Sequence, residues 1–396
     1  MGYSVLLLAT METKKAAVDY FRNAVAKYDV HCHVLDLSLQ AKGEIYSDER
    51  KVASMADVAR NASAVAREAI DGGAQAAVAI GGGTGGEIAL QVMRALPFAF
   101  PKMLVTTLPF DPRYALADNA IVIVPTLADV CGINATLRQV LENAAAMLAG
   151  LCRSSTALPH VSDNPSIGIT ALGATAGCAD GLVEALQARG QEATVFHANG
   201  FGGAAYARFA RCGTFHTVID ATLHELTRIH VAGAHVDMPD RVTAAKNAGV
   251  PQILLPGGMN FIGLGEIGLV PQHFLNRPHY KHSGYFTHVQ VTDEEMTRVA
   301  DALVAELNGS SAATTVLVPM GGFSHQDRPQ GAIEAPHLRE IFLQVLSKKL
   351  DDTVVVKPID YHINATGTVA AIMDELDALA ADHPFPTGVP HVPASA

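Results

Sequence analysis

The stretch Val78 to Leu96, VAIGGGTGGEIALQVMRAL, constrains the chain most. Ala76, Ala77, Val78, Ala79 and Ile80 form a short apolar run without polar alternation, the pattern of a parallel strand covered by helices on both faces. Six small residues follow, Gly81, Gly82, Gly83, Thr84, Gly85 and Gly86, and then Ile88, Ala89, Val92, Met93 and Leu96 fall on one helical face. So many glycines are placed where the backbone needs unusual torsions or where something must approach it closely. Free N–H groups at the helix start, backed by the helix dipole, would hold a phosphate or carboxylate. A glycine turn needed only for close strand–helix packing is the plain alternative. Gly81, Gly83 and Gly86 formally satisfy G-x-G-x-x-G, but the next strand ends in Thr106 and Thr107 without a ribose-binding acid, so a nicotinamide reading is weak. A P-loop is excluded, because Gly86 is followed by Glu87.

The rest of the chain repeats this unit. Tyr3 to Ala9, Val30 to Leu37, Ala74 to Ile80, Lys102 to Thr106 and Ala120 to Val124 read as strands with helical patterns between them. The expectation is α/β: two Rossmann-like domains, each an open, mostly parallel sheet with helices on both faces. A polar, proline-containing segment from Gly150 to Ser166 marks the boundary, giving domains over 1–155 and 165–380 and a Pro-rich tail over 381–396. In the second domain the strands are expected at Ser166 to Leu172, Glu192 to His197, Phe215 to Ala221, Gln252 to Leu255, Thr314 to Val318 and Thr353 to Lys357. Gly257 to Val291 reads as one long functional loop. Ligands of such sheets lie beyond the carboxyl ends of the strands, so the two sets of loops are expected to face a shared crevice that closes on a ligand. In the first set, Thr10, Thr13, Lys14 and Thr107 accompany the glycines, and Lys14 reads either as a counter-charge to a bound anion or as a solvated residue.

Composition excludes several classes. With 28 Lys+Arg against 39 Asp+Glu, the net charge of −11 and the lack of a basic cluster argue against nucleic acid as a partner. The first residues carry no basic n-region, and their apolar run is too short to span a membrane, so no membrane association and a cytoplasmic location are expected. Five cysteines stand singly, without C-x-x-C, as reduced structural thiols would.

Acid–base groups concentrate in the second half. Only His31 and His33 of 17 histidines precede residue 150, and their alternation on a strand reads as structural. His197, His224, His279, His282, His325 and His362 stand at strand ends or in loops, with Asp220, Glu225, Asp327 and Asp360 as possible carboxylate partners. Glu225, His282, His362, His197, Asp220 and Asp327 are the catalytic candidates, and Arg241, Asn260, His224 and His325 the substrate-binding ones. Arg241 either grips an acidic substrate or pairs internally with Asp237 or Asp240. No metal-ligand spacing such as H-E-x-x-H occurs, so a catalytic divalent metal, assembled from separate loops, is not favoured. Ser324, in G-G-F-S-H, is the one serine beside a histidine in a glycine-rich loop, and G-x-S-x-G is missing.

Taken together, T-M-E-T-K (10 to 14), I-G-G-G-T-G-G (80 to 86), LPFAFPKMLVTT (96 to 107), CGIN (131 to 134), FHANGFGG (196 to 203), DATLHEL (220 to 226), DRVTAAKNAGVPQ (240 to 252) and DYHIN (360 to 364) resemble the Tm-1-like ATP-binding family, also called UPF0261. The resemblance runs from residue 3 to about 380. It implies ATP or another nucleotide or phosphate, with or without magnesium, at the glycine loop, and a homo-oligomer. One plant member of the family inhibits a viral replication protein. The expected reading is an enzyme of hydrolase or lyase type on a small acidic or phosphorylated molecule, and the alternative is a non-catalytic ATP-binding regulatory or interaction protein. The sequence departs from the family at His282-Ser283-Gly284 in place of H-N-P, at Gln290 in place of an arginine, at Ala332 to Ala335 in place of P-F-x-D, and at H-I-N-A-T in place of H-I-N-D-P. All four lie in the second domain, so its ligand is expected to differ from that of typical members.

Overall fold

A computed structural model describes residues 2–39, 47–109, 111–154 and 166–382. The chain divides into two compact units, Met1–His160 and Val161–Ala396. The expected tail beyond Asp382 and most of the expected boundary segment lie outside the described residues.

The first unit runs β1 (Tyr3–Ala9), α1 (Met11–Ala26), β2 (Val30–Asp36), α2 (Asp48–Asp71), β3 (Ala76–Gly81), α3 (Gly83–Arg94), β4 (Lys102–Thr106), α4 (Arg113–Leu116), β5 (Val122–Pro125) and α5 (Ala135–Ser154). Its sheet has the order β2-β1-β3-β4-β5 with every pairing parallel. The pleat sorts neighbouring residues to opposite sides. Val5, Leu7, Val78, Ile80, Met103 and Val105 join a core with α1 and α5, while Leu6, Leu8, Ala77, Ala79 and Leu104 join another with α2 and α3. Both faces are therefore apolar, which is why these strands read as unbroken runs.

The second unit runs β6 (Ser166–Ala171), α6 (Ala176–Ala188), β7 (Glu192–His197), α7 (Gly202–Arg211), β8 (Thr217–Asp220), α8 (His224–His230), α9 (Thr243–Asn247), β9 (Gln252–Leu254), β10 (Phe261–Leu264), α10 (Gln272–Leu275), β11 (His279–Lys281), β12 (Thr287–Gln290), α11 (Asp293–Leu307), β13 (Thr314–Pro319), α12 (Pro336–Lys349), β14 (Val354–Ile359) and α13 (Thr366–Asp382). Its main sheet has the order β14-β13-β9-β8-β6-β7, again all parallel. Ile167, Ile169, Ile219, Ile253 and Leu317 pack under α6 and α13. Leu254, Val316 and Val318 pack on the opposite side with residues of α11 and α12. α6 and α13, far apart in the chain, are tied together by Asn364, whose Oδ1 accepts from Cys178 N at 3.1 Å, and by the Arg189–Asp377 ion pair at 2.6 Å.

Two expectations need correction. Gly257 to Val291 is not one loop: β10, β12 and β11 form a small antiparallel sheet within it. Strands of three or four residues among Gly, Pro and His carry too little pattern to be read from sequence. The supposed boundary segment also begins late, because α5 continues through Ser154. Among the described residues, no helix is long and apolar enough to cross a membrane.

Candidate functional site

In the first unit the sheet order places β1 and β3 side by side while their connections leave in opposite directions, and the crevice beyond their carboxyl ends is where such sheets bind ligands. Thr10 follows β1 and the glycines follow β3. The helix begins within the glycine run, at Gly83, so Gly83 to Gly86 form the first turn of α3 instead of a loop before it. Gly86 N donates to Gly82 O at 2.7 Å. The three preceding amides, of Gly83, Thr84 and Gly85, have no acceptor among the described residues, as the geometry of a helix start requires.

The glycines differ in what surrounds them. A Cβ on Gly81 would lie 2.8 Å from Gly86 N, so this position serves the tight turn. A Cβ on Gly85 would meet Thr10 Oγ1 at 3.2 Å, and one on Gly82 would meet Thr107 Oγ1 at 3.3 Å, which places both hydroxyls against the helix start. Nothing lies within 4 Å of a Cβ on Gly83. Thr13 Oγ1 is 3.1 Å from Thr10 Oγ1. α1, by contrast, has its first amides filled: Met11 N donates to Asp36 and Glu12 N to Ser38. Lys14, half-buried, donates from Nζ to Val130 O at 2.7 Å, tying α1 to the loop after β5.

In the second unit the corresponding crevice, between β6 and β8, is filled by side chains. Asp220 at the end of β8 accepts from Thr170 Oγ1 at 2.6 Å and from Arg241 Nη1 at 2.6 Å and Nη2 at 3.0 Å. Arg241 Nε donates to Glu225 Oε2 at 2.5 Å, and Glu225 Oε1 accepts from the amides of Gly200 and Gly203. All three side chains are at most 1% exposed. Tyr206 lies against the guanidinium, 4.9 Å from ring centre to Cζ, and burial beside Asp220 holds its phenol well above the usual tyrosine range. A Cβ on Gly203 would sit 1.8 Å from Glu225 Oε2, so only glycine fits there. Arg241 thus pairs internally, but with Asp220 and Glu225. Asp237 and Asp240, suggested by proximity in sequence, are not its partners, and Asp240 pairs with Arg211. Glu225 and Asp220, expected to do acid–base work, are bound on every side to this clasp. Asp327 is similarly enclosed, accepting from the amides of Phe323 and Ala335 and from Arg339.

The loops after β6, β8, β9, β13 and β14 are hydrogen-bonded into one cluster. Ala174 O accepts from His325 N at 2.9 Å and from Asn364 Nδ2 at 3.0 Å, Gly258 N donates to Phe323 O, and Ile363 N donates to Gly322 O. His362 is half-buried here. Its Nδ1 accepts from Asn364 N, so Nε2 carries the proton and donates to Ser324 O, and burial lowers its pKa. The hydroxyl of Ser324 and both polar atoms of the Asn260 amide are buried and have no hydrogen-bond partner among the described residues. His325 is exposed, with Arg328 3.0 Å from its Nε2. His197 is exposed at the end of β7, apart from this cluster.

His224 is fully buried with both ring nitrogens engaged, Nδ1 with Gly258 O at 2.9 Å and Nε2 with Arg228 Nε at 3.1 Å. Burial and the neighbouring guanidinium push its pKa well below the usual value, so it stays neutral and presents no free nitrogen to a substrate. Arg228, Arg339, Tyr280 and His288 were not singled out from the sequence. Only the spacing of four between His224 and Arg228 on one helix could have signalled a pair. Among the described residues, no three His, Cys, Asp or Glu side chains are grouped to hold a metal ion. A cavity of about 190 Å³ beside Arg241, lined by Leu226, His230, His235, Met238 and Glu306, lies apart from the loop cluster.

Two doubly wound α/β units, one with an open glycine-rich helix start at its crevice and one with that crevice filled by an arginine clasp, define a two-domain Rossmann-like protein. The models of the uncharacterised protein family UPF0261, N-terminal and C-terminal domains, match residues 3–157 and 164–380, and the chain belongs to this family. A UPF0261 protein of Clostridium tetani is 29% identical over 350 residues, covering 83% of this chain and 86% of that one. A UPF0261 protein of Brucella suis is 28% identical, covering 87% and 82%. The ToMV resistance protein Tm-1(GCR237) of Solanum lycopersicum is 28% identical over 304 residues, which are 75% of this chain and 40% of the tomato protein. A solved structure of UDP-N-acetylglucosamine 2-epimerase aligns at 12% identity over 64% of this chain and 79% of that one, with a TM-score of 0.22, a likeness too low to bear on fold or function.

Proposed function

We propose that this UPF0261 protein binds a phosphate group, as part of a nucleotide such as ATP or of a phosphorylated metabolite, at the start of α3. The observation that carries the reading is the trio of amides of Gly83, Thr84 and Gly85, without acceptors among the described residues, at the β1/β3 crevice with the Thr10 and Thr107 hydroxyls against them. Each amide can donate to one phosphate oxygen, and the helix dipole adds about 0.3 to 1 kcal/mol at an exposed site, up to about 2 when partly buried. Magnesium, if it accompanies the nucleotide, would be held mainly by phosphate oxygens and water.

Turnover of a small acidic or phosphorylated molecule would fall to the histidines at the strand ends of the second unit. His325 stands exposed in the loop cluster next to Ser324, whose buried hydroxyl has no hydrogen-bond partner among the described residues, whereas both ring nitrogens of His362 are already bonded, to Ser324 O and Asn364 N. The enclosure of Asp220, Glu225 and Asp327 favours the second reading, a non-catalytic nucleotide-binding protein, because it removes the carboxylates that general-base chemistry would use. Calorimetric titration of ATP and of inorganic phosphate, with and without magnesium, tests the binding site. Gly83→Val should fold normally, since its Cβ meets nothing, and lose binding by at least 10-fold because the side chain fills the approach. Equal affinity in the folded variant would remove the glycine helix from the site. Consumption of a phosphorylated sugar or oxo-acid by the parent protein, lost in His325→Asn, separates enzyme from binder.

A further inference from the structure

Four rings in the second unit lie face to face. His224 and Phe261 have centroids 4.5 Å apart, Phe261 and His288 4.2 Å, and His288 and His282 4.5 Å, with interplanar angles of 29°, 20° and 9°. The column starts on a fully buried residue at the head of α8, crosses the small antiparallel sheet and ends on His282, which is exposed. Register explains part of it: Gly263 is paired with His288, so the position beside the imidazole carries no side chain, and a Cβ on Gly263 would collide with Arg228 and lie 3.3 Å from His224 Nε2. The rings are held in place. Tyr280 Oη is 2.8 Å from His288 Nδ1, the Tyr280 ring meets His288 edge-on, and His282 N donates to Phe286 O across the β11–β12 turn. His224 and His288 both stay uncharged, because burial depresses their pKa values, that of His288 to about 3. The column therefore ends on the exposed ring of His282, with Lys281, Tyr285 and Phe286, also exposed, close to it in the chain.

We infer that the outer face of His282 is a binding platform for the planar heteroaromatic ring of a small molecule, which would add a fifth layer to the column. Stacked rings prefer parallel, offset neighbours, and a column whose inner rings are already packed and bonded accepts such a ring with little reorganisation. Stacking on one aromatic face changes affinity by about 5- to 140-fold per base. The platform is independent of the glycine helix in the first unit, and its failure would leave that reading untouched.

The chain contains no tryptophan, so His282→Trp makes a single fluorescent probe at the platform. Adenosine, guanosine, nicotinamide riboside and flavin mononucleotide would be titrated against it, with ribose 5-phosphate as the non-aromatic control. At least one heteroaromatic compound should quench the probe, and ribose 5-phosphate should not. Calorimetry on the parent protein should show the same compound bound, with affinity at least 5-fold weaker in His282→Ala and within about 3-fold of the parent in His282→Phe. Binding by none of the four, or equal affinity in His282→Ala, would overturn the assignment. So would self-association of the parent protein, seen by sedimentation, that His282→Ala abolishes, because the exposed face would then belong to a second copy of the chain.

Discussion

Glu225→Gln decides between chemistry and architecture. In the folded chain one Glu225 oxygen accepts from the amides of Gly200 and Gly203 and the other from Arg241 Nε, with no exposure to water. The amide of glutamine keeps one acceptor for the two glycine N–H groups. It removes the charge, and it either turns an NH₂ toward the guanidinium or leaves the backbone amides unpaired. Breaking one partner out of a buried ion pair costs about 3 to 5 kcal/mol, and Asp220 remains to hold Arg241, so the lower half of that range is expected. For a unit of this size each kcal/mol moves the melting temperature by about 2 to 4 °C, so differential scanning calorimetry should show the second transition falling by at least about 6 °C. A double-mutant cycle with Arg241→Met should return a coupling of about 1.5 kcal/mol or more, since the two side chains share a contact. If Glu225→Gln melts within 2 °C of the parent while losing turnover on an identified substrate, the clasp argument is wrong and the carboxylate is an acid–base group.

Two further outcomes follow from geometry already given. Gly81→Ala should destabilise the first unit by about 1 to 3 kcal/mol, because its Cβ would press on Gly86 N, whereas Gly83→Ala should leave melting nearly unchanged; equal effects would mean the turn relaxes freely. Acid should weaken the second unit early. The folded pKa values of His224 and His288 are depressed, so their stabilising share is complete above the unfolded value of about 6.5 and is lost as pH falls toward the folded value, about 3 for His288. Each loses about 1 kcal/mol between pH 6.5 and 5.5 and about 1.4 kcal/mol per pH unit below that, so over the first unit the pair should lower the melting temperature by about 4 to 8 °C. His288→Phe should halve that slope, and a melting temperature flat across the window would show that the imidazoles are not held neutral.

The fold was largely legible because both sheets are parallel and covered. Tyr3–Ala9, Lys102–Thr106 and Glu192–His197 run between the residues that the apolar pattern predicts. The site was less so. The glycines were visible as a feature, but sequence placed the helix after them, since glycine propensity argues against a helical turn that the preceding strand in fact sets. Arg241 was noticed, yet its partners lie 16 and 21 residues upstream and meet it only when β8 and α8 are in place. The ring column was invisible, because its members come from α8, β10 and β12 and the turn after β11, and no local spacing records a stack across an antiparallel sheet.

The pairing of α6 with α13 has a consequence for synthesis. All strands of the first sheet and the helices on both its faces lie within residues 3 to 154, so that unit can complete itself while the remainder is still being made. In the second unit the helix just after the first strand packs against the last helix of the fold, and the bond from Cys178 to Asn364 spans 186 residues. Until the final turns emerge, Leu182 and Leu186 lack the Ile372, Met373 and Leu376 that cover the same core. The second unit therefore waits on its own carboxyl end with an apolar face uncovered, and a nascent chain stalled or cut short of residue 366 should be the form that chaperones retain.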